Sequence, residues 1–113
     1  MTKNEILDWE QELYRSAKEK RTSKDGWPSP AYGLSKLFVM CWARAEAAEQ
    51  AVAGRGVQVY SVCPGWCATD MTDWKPKKCS YEGAREIVWL FEKEAREEEN
   101  GTFWFDQKVK QIG

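Results

Sequence analysis

Tyr32 and Lys36 are the residues of this 113-residue chain whose types and spacing best fit acid–base chemistry. They lie four positions apart in a segment with a helical pattern, so both side chains would share one helix face, about one turn apart. A phenol is a weak acid at neutral pH, and a nearby cation favours the phenolate and lowers the pKa of the tyrosine. The pair therefore offers a general acid that needs no histidine. The same spacing is also typical of a packed tyrosine beside a surface lysine.

The composition excludes several other kinds of site. The chain has no histidine, which excludes a Ser-His-Asp triad, a Cys-His dyad and a His-ligated zinc. Its four cysteines show no C-x-x-C spacing, so we expect free, mostly buried thiols and no metal site. A net charge of −1 gives no general attraction to nucleic acid or to an anionic membrane. Since no membrane span and no secretory signal are recognisable, we expect a cytoplasmic protein.

Helices and strands alternate in the sequence pattern, and they must position the pair. The apolar periodicity predicts three helices, over 2–20, from Ser29 and Pro30 to a stop at Gly54, and over 81–97 after a Ser80 cap. Strands are predicted within 57–63 and at 103–105, and 66–79 is expected to be a long irregular loop. The second helix is apolar nearly all round in its centre, so we expect it to be buried on more than one side.

The order helix-helix-strand-helix-strand predicts an α/β fold with two parallel strands joined by a crossover helix. Two strands do not make a parallel sheet that is stable alone, so the sheet should be only part of a larger one. Residues 1–113 would form one partial domain, with a helix and a breaker-rich loop over 1–28. The unpaired edge of the 57–63 strand also predicts self-association.

Three motifs carry a resemblance to a known family. Residues 25–36 read D-G-W-P-S-P-A-Y-G-L-S-K, residues 64–71 read P-G-W-C-A-T-D-M, and residues 100–103 read N-G-T-F. Together they resemble the carbonyl reductase subgroup of the short-chain dehydrogenase/reductases, whose members carry a helical insertion ahead of the first motif. The resemblance covers nearly the whole chain. It implies the C-terminal part of a Rossmann-like, doubly wound parallel sheet, with 1–28 as the insertion and the N-terminal dinucleotide-binding half missing.

The resemblance also implies a reaction and roles for single residues. The reaction would be NADPH-dependent reduction of aldehydes, ketones or quinones by hydride transfer. Tyr32 would protonate the carbonyl oxygen, while Lys36 would lower the pKa of Tyr32 and hydrogen-bond the nicotinamide ribose. The other cofactor-binding positions would be Pro64, Gly65, Cys67, Ala68 and Thr69. Trp66 and Met71 would line the substrate site, although plain packing explains Trp66 equally well.

Two departures from the family pattern lead us to expect no turnover and little cofactor binding by this chain alone. The Gly-rich G-x-G-x-x-G turn that cradles the dinucleotide phosphates is absent. No serine falls on a strand ahead of Tyr32, where the family places the serine that polarises the carbonyl; the candidates are Ser16, Ser23 and Ser29. The alternative is a non-catalytic remnant that acts as an interaction module through its open strand edge.

Overall fold

The computed structural model describes residues 1–28 and 30–111, which form three helices and two small sheets. The helices are α1 (Lys3–Lys18), α2 (Ala31–Ala53) and α3 (Ser80–Glu92). The strands are β1 (Ser61–Cys63), β2 (Cys67–Ala68), β3 (Lys78–Cys79), β4 (Phe103–Phe105) and β5 (Lys108–Lys110). Short 3-10 turns lie at Asp70–Thr72 and Glu97–Glu99. The α/β class predicted from the sequence is confirmed.

Local capping chemistry sets the ends of the first two helices. At the start of α1, the Glu5 N–H donates to Thr2 Oγ1 (3.2 Å) and the Thr2 N–H donates to Glu5 Oε2 (2.6 Å), which makes a capping box. Helix α2 begins after extended Pro30 and ends at Gly54, which is left-handed with φ of 64°. Both ends agree with the sequence pattern to within a residue. Ser29, the predicted cap, lies outside the described residues.

Helix α3 differs from the prediction at both ends. Its N-cap is Cys79 rather than Ser80, and the Glu82 carboxylate accepts the Cys79 N–H at 2.8 Å. The helix ends at Glu92 rather than at residue 97, because Lys93 is extended and turns its side chain to the Glu99 carboxylate. The Lys93 Nζ also lies 5.0 Å from the centroid of the Trp104 ring, the most buried large side chain of the sheet. A tertiary contact, which periodicity does not show, thus ends this helix early.

The main sheet is mixed and has the order β1-β4-β5. Strands β1 and β4 are parallel, as predicted, with Val62 opposite Trp104. Strand β1 is shorter than predicted, since Val59 already bonds to the turn before β4: the Gly101 N–H donates to the Val59 carbonyl at 2.8 Å. Strand β5 was not predicted. It returns antiparallel to β4 through the two-residue turn 106–107, where both residues have positive φ.

The segment 66–79, expected to be irregular, contains the second sheet. Strand β2 pairs in parallel with β3, with Cys67 opposite Lys78. Between them, Thr72 Oγ1 donates to the Cys67 carbonyl at 2.6 Å and closes the connection. The prediction of an irregular loop missed these two short strands, because hydroxyl-to-backbone bonds organise the connection without any apolar periodicity.

The molecule is a flat slab that leaves much apolar surface in contact with solvent. Its extents are 46 × 43 × 20 Å and its radius of gyration is 16.5 Å, against about 13 Å for a compact domain of this length. Only Leu34, Ala45 and Ala47 of α2 are buried, and Val39 in its apolar centre is 61% exposed. The expectation that α2 is buried on more than one side was wrong for this chain.

Two further features bear on the expected class of protein. None of the helices described is long and apolar enough to cross a membrane. All four cysteines are free, as predicted. The expectation that most of them are buried was wrong, because three are half-buried and Cys79 is exposed.

Candidate active site

Helix α2 presents Tyr32 and Lys36 on one face of its first two turns. The Lys36 Nζ lies 5.6 Å from the centroid of the Tyr32 ring, so the charge and the phenol are neighbours as the spacing predicts. Ser35 Oγ donates to the Tyr32 carbonyl at 2.7 Å and helps to hold this turn. Both side chains are exposed, and 68% of Tyr32 is accessible to solvent. The pair is thus formed, but it lies on an open surface.

The Pro64-Gly65 turn ends β1 and begins the candidate cofactor segment 64–69. Gly65 has a φ of 87°, a conformation that L side chains rarely adopt. A Cβ at this position would also lie 2.9 Å from Lys78 Nζ, which covers the turn. The backbone conformation therefore favours glycine at this position, whereas the flexible Lys78 side chain can move away from a Cβ.

Gly83 of α3 holds the same segment from the other side. It is buried, and a Cβ there would lie 2.5 Å from Cys67 Sγ and 3.4 Å from Pro64 Cβ. The Cys67 Sγ is itself 3.7 Å from the carbonyl oxygens of Pro64 and Gly65. The packing of the Cys67 thiol into this tight contact explains its position without any chemical role for it.

Thr69 is held by bonds within its own loop. Its N–H donates to Thr72 Oγ1 at 3.0 Å, and its carbonyl accepts the N–H groups of Thr72 and Trp74, each at 3.1 Å. Because the Thr69 N–H already donates to Thr72 Oγ1, it is not free to donate to a bound cofactor. Trp66 and Met71, the predicted substrate-wall residues, are 66% and 88% exposed.

The two halves of the predicted site lie on different elements of the fold. Among the described residues, no hydrogen bond or ion pair links Tyr32 or Lys36 to the segment 64–69. The acid–base pair is on α2, whereas the segment is held by α3 and β3. No group of three or more His, Cys, Asp or Glu within the described ranges is arranged to hold a metal ion.

Sequence reasoning missed two residues that shape this site. The first is Gly83, whose signal was an isolated glycine inside an amphipathic helix, a position that costs helix stability unless close packing needs it. The second is Lys78, which covers the Gly65 turn and has no sequence signal, because its position depends on the pairing of β2 with β3. Both act through contacts between segments that are more than ten residues apart.

The fold and the site define a class of protein. An α/β chain with a Tyr-x-x-x-Lys helix, followed by a strand that ends in Pro-Gly, fits the short-chain dehydrogenase/reductases. Comparisons with known proteins agree, although no family model matches the chain.

The relatives found are carbonyl reductases. The chain is 32% identical over 113 residues to rat carbonyl reductase [NADPH] 1, an alignment that covers 97% of this chain and 41% of the relative. It is 33% identical over 92 residues to human carbonyl reductase [NADPH] 1, covering 80% of this chain and 33% of the relative. Rat carbonyl reductase [NADPH] 3 is 32% identical over 93 residues, an alignment that covers 80% of this chain and 33% of the relative. The chain spans one third to two fifths of the length of these relatives.

These matches confirm the resemblance that the motifs indicate: the chain is carbonyl reductase-like.

Proposed function

We propose that this chain carries the proton-donating part of an NADPH-dependent carbonyl reductase and does not turn over alone. The observation that carries the proposal is the pairing of Tyr32 with Lys36, whose Nζ lies 5.6 Å from the ring centroid, in a chain related to carbonyl reductases. In this chemistry the reduced nicotinamide, when bound, supplies a hydride to a small aldehyde, ketone or quinone. Tyr32 is the general acid that donates a proton to the carbonyl oxygen.

Lys36 is proposed to favour the deprotonated form of Tyr32 after each proton transfer and to hydrogen-bond the nicotinamide ribose. The segment Pro64, Gly65, Cys67, Ala68 and Thr69 is proposed to lie along the cofactor, with Trp66 and Met71 beside the substrate. For the segment to serve this way, the internal bond from the Thr69 N–H to Thr72 has to open or the contact has to use other atoms.

Three features support the proposal that the chain is inactive alone. Tyr32 is largely in water, where a charge developing on a carbonyl oxygen is screened rather than stabilised. No strand that could carry the carbonyl-polarising serine precedes Tyr32 among the described residues, and loss of such a donor costs about 10² or more in rate. The sequence also has no Gly-rich phosphate cradle.

A fusion protein tests these roles. The chain is joined to the part of rat carbonyl reductase [NADPH] 1 that it does not match, in place of the matching segment, and NADPH consumption is measured with a quinone. We expect turnover that Tyr32→Phe reduces by about 10²- to 10⁴-fold. Tyr81→Phe, which changes another exposed tyrosine, should leave the rate unchanged. A folded but inactive fusion, or an active one indifferent to Tyr32→Phe, contradicts the proposal.

A non-catalytic role is the second candidate, and the exposed surface favours it. The chain exposes 8710 Å², against about 6400 Å² for a compact monomer of the same mass. A surplus of this size is characteristic of a chain that packs against something else.

A further inference from the structure

A tryptophan with a fixed side chain lies in the loop that joins β2 to β3. The Trp74 indole N–H donates to Asp70 Oδ1 at 3.0 Å, and the Trp74 backbone N–H donates to the Thr69 carbonyl at 3.1 Å. The ring and its backbone are therefore both held by residues at the start of the loop. A side chain fixed in this way has little rotational freedom to lose when it binds a ligand.

The backbone of this loop is strained at two consecutive positions. Asp73 and Trp74 have φ values of 54° and 56°, in the left-handed region. Glycine adopts this conformation without a steric cost, but a bulky side chain rarely does. Burial does not offset the cost, since 66% of Trp74 is accessible to solvent. Strained residues of this kind concentrate at active sites and ligand-binding loops, which makes Trp74 a candidate binding residue.

The position of Trp74 in the loop indicates which ligand it would meet. The loop directly follows the candidate cofactor segment 64–69, whose last residue, Thr69, accepts the Trp74 N–H. Met71, which is proposed to lie beside the substrate, belongs to the 3-10 turn that begins at Asp70, the partner of the indole. Trp74 is therefore tied both to the cofactor segment and to the turn that carries a substrate residue.

The chemistry of the ring limits the class of ligand. The indole N–H is the single hydrogen-bond donor of a tryptophan side chain, and in Trp74 it already donates to Asp70. The ring therefore offers a ligand its flat π-face and its apolar edge. Two aromatic rings in contact gain more free energy than the burial of their area alone supplies. A flat ring is thus the group that Trp74 is suited to bind.

We propose that Trp74 determines substrate specificity by stacking on the flat ring of an aromatic ketone, an aromatic aldehyde or a quinone. This inference rests on the proposed reductase function and goes beyond it by naming the part of the substrate that is recognised. Trp74 takes no part in the proton transfer, which belongs to Tyr32. A saturated ring of the same size has no flat face to match the indole, so it gains less from the contact.

Two ketones of similar size test the role of Trp74 in the fusion with rat carbonyl reductase [NADPH] 1. Acetophenone carries a flat phenyl ring, whereas cyclohexyl methyl ketone carries a saturated ring on the same carbonyl group. We expect Trp74→Ala to lower the ratio of kcat/KM for acetophenone to kcat/KM for cyclohexyl methyl ketone by about 2- to 10-fold. Trp74→Phe, which keeps a flat ring, should lower it less. Tyr81→Ala, which removes another exposed ring, is the matched control and should leave the ratio unchanged.

NMR of the purified 113-residue chain provides a second measurement that does not depend on activity. The indole N–H resonance of Trp74 is assigned as the one that Trp74→Phe removes. We expect acetophenone to shift this resonance more than the same concentration of cyclohexyl methyl ketone does. The shift should also exceed that of Trp9, which is exposed as well and serves as the reference.

The outcomes separate the role of Trp74 from the reductase function. An active fusion whose ratio does not change with Trp74→Ala overturns the role of Trp74 and leaves the reductase function standing. A Trp74 resonance that shifts no more than that of Trp9 also overturns it. An inactive fusion contradicts the reductase function, and the NMR measurement then decides whether Trp74 binds a flat ring.

Discussion

Gly83 offers the sharpest test of how α3 holds the candidate cofactor segment. A Cβ at this position would lie 2.5 Å from Cys67 Sγ, closer than real Cβ contacts, and 3.4 Å from Pro64 Cβ, which is ordinary contact. The thiol is therefore the single group that Gly83→Ala would strike. Forcing a methyl group into a packed contact costs about 1–3 kcal/mol.

A second effect acts in the opposite direction. Alanine inside a helix is favoured over glycine by about 1 kcal/mol. Taking about 2 kcal/mol for the clash, we expect Gly83→Ala to lower the free energy of unfolding by about 1 kcal/mol. In a Cys67→Ala background the clashing sulfur is gone, so the same Gly83→Ala change should raise that free energy by up to about 1 kcal/mol. The effect of Gly83→Ala on the free energy of unfolding thus changes sign with the residue at position 67.

Urea unfolding, followed by tryptophan fluorescence at one fixed chain concentration, measures this double-mutant cycle. Gly33→Ala in α2 is the matched control, since nothing lies within 4 Å of a Cβ there, and it should be stabilising in both backgrounds. Additive effects of the substitutions at Gly83 and Cys67, or a stabilising Gly83→Ala in the unaltered chain, would refute the contact.

Substitutions at two further positions test other contacts. Asn100 accepts the Val59 N–H at 2.9 Å and donates to the Ala47 carbonyl at 3.1 Å, so Asn100→Ala should cost about 1–3 kcal/mol in urea unfolding. Asn100→Asp keeps the acceptor for Val59 but sets a carboxylate oxygen against the Ala47 carbonyl oxygen, so it should not recover the loss. The Cys79 N–H lowers the pKa of Glu82 below its usual 4.5. The stabilisation from Glu82 is therefore present above pH 4.5 and lost as the pH falls through the lower folded value. Glu82→Gln should accordingly lower the urea midpoint at neutral pH and flatten its acid dependence; an equal loss at every pH contradicts this.

The parts of the fold with local chemical signals were predictable from the sequence. Pro30 and Gly54 bracket α2 because proline and glycine restrict or permit particular backbone angles wherever they occur. The same holds for the Tyr32 and Lys36 pair, since four residues of helix fix their separation. The parallel pairing of β1 with β4 followed from the crossover through α3.

The remaining features depend on contacts between distant segments. Strand β5 was missed because its turn, Asp106 and Gln107, lacks the Asn-Gly or Asp-Gly signal of a two-residue hairpin. The end of α3 was misplaced because Lys93 leaves the helix for Glu99 and the Trp104 ring. Burial of α2 was overestimated. An apolar helix indicates that other residues should pack against it, but it does not show that those residues belong to this chain.

The most direct test of the central claim is the chain's own activity with NADPH. The purified protein is mixed with NADPH and an aromatic aldehyde or a quinone, and the absorbance of the reduced nicotinamide is followed against a blank without protein. We predict no loss above the blank, because the Tyr32 and Lys36 pair is exposed and the sequence has no Gly-rich turn to cradle the dinucleotide phosphates. Steady turnover that Tyr32→Phe abolishes and Tyr81→Phe does not would contradict the account.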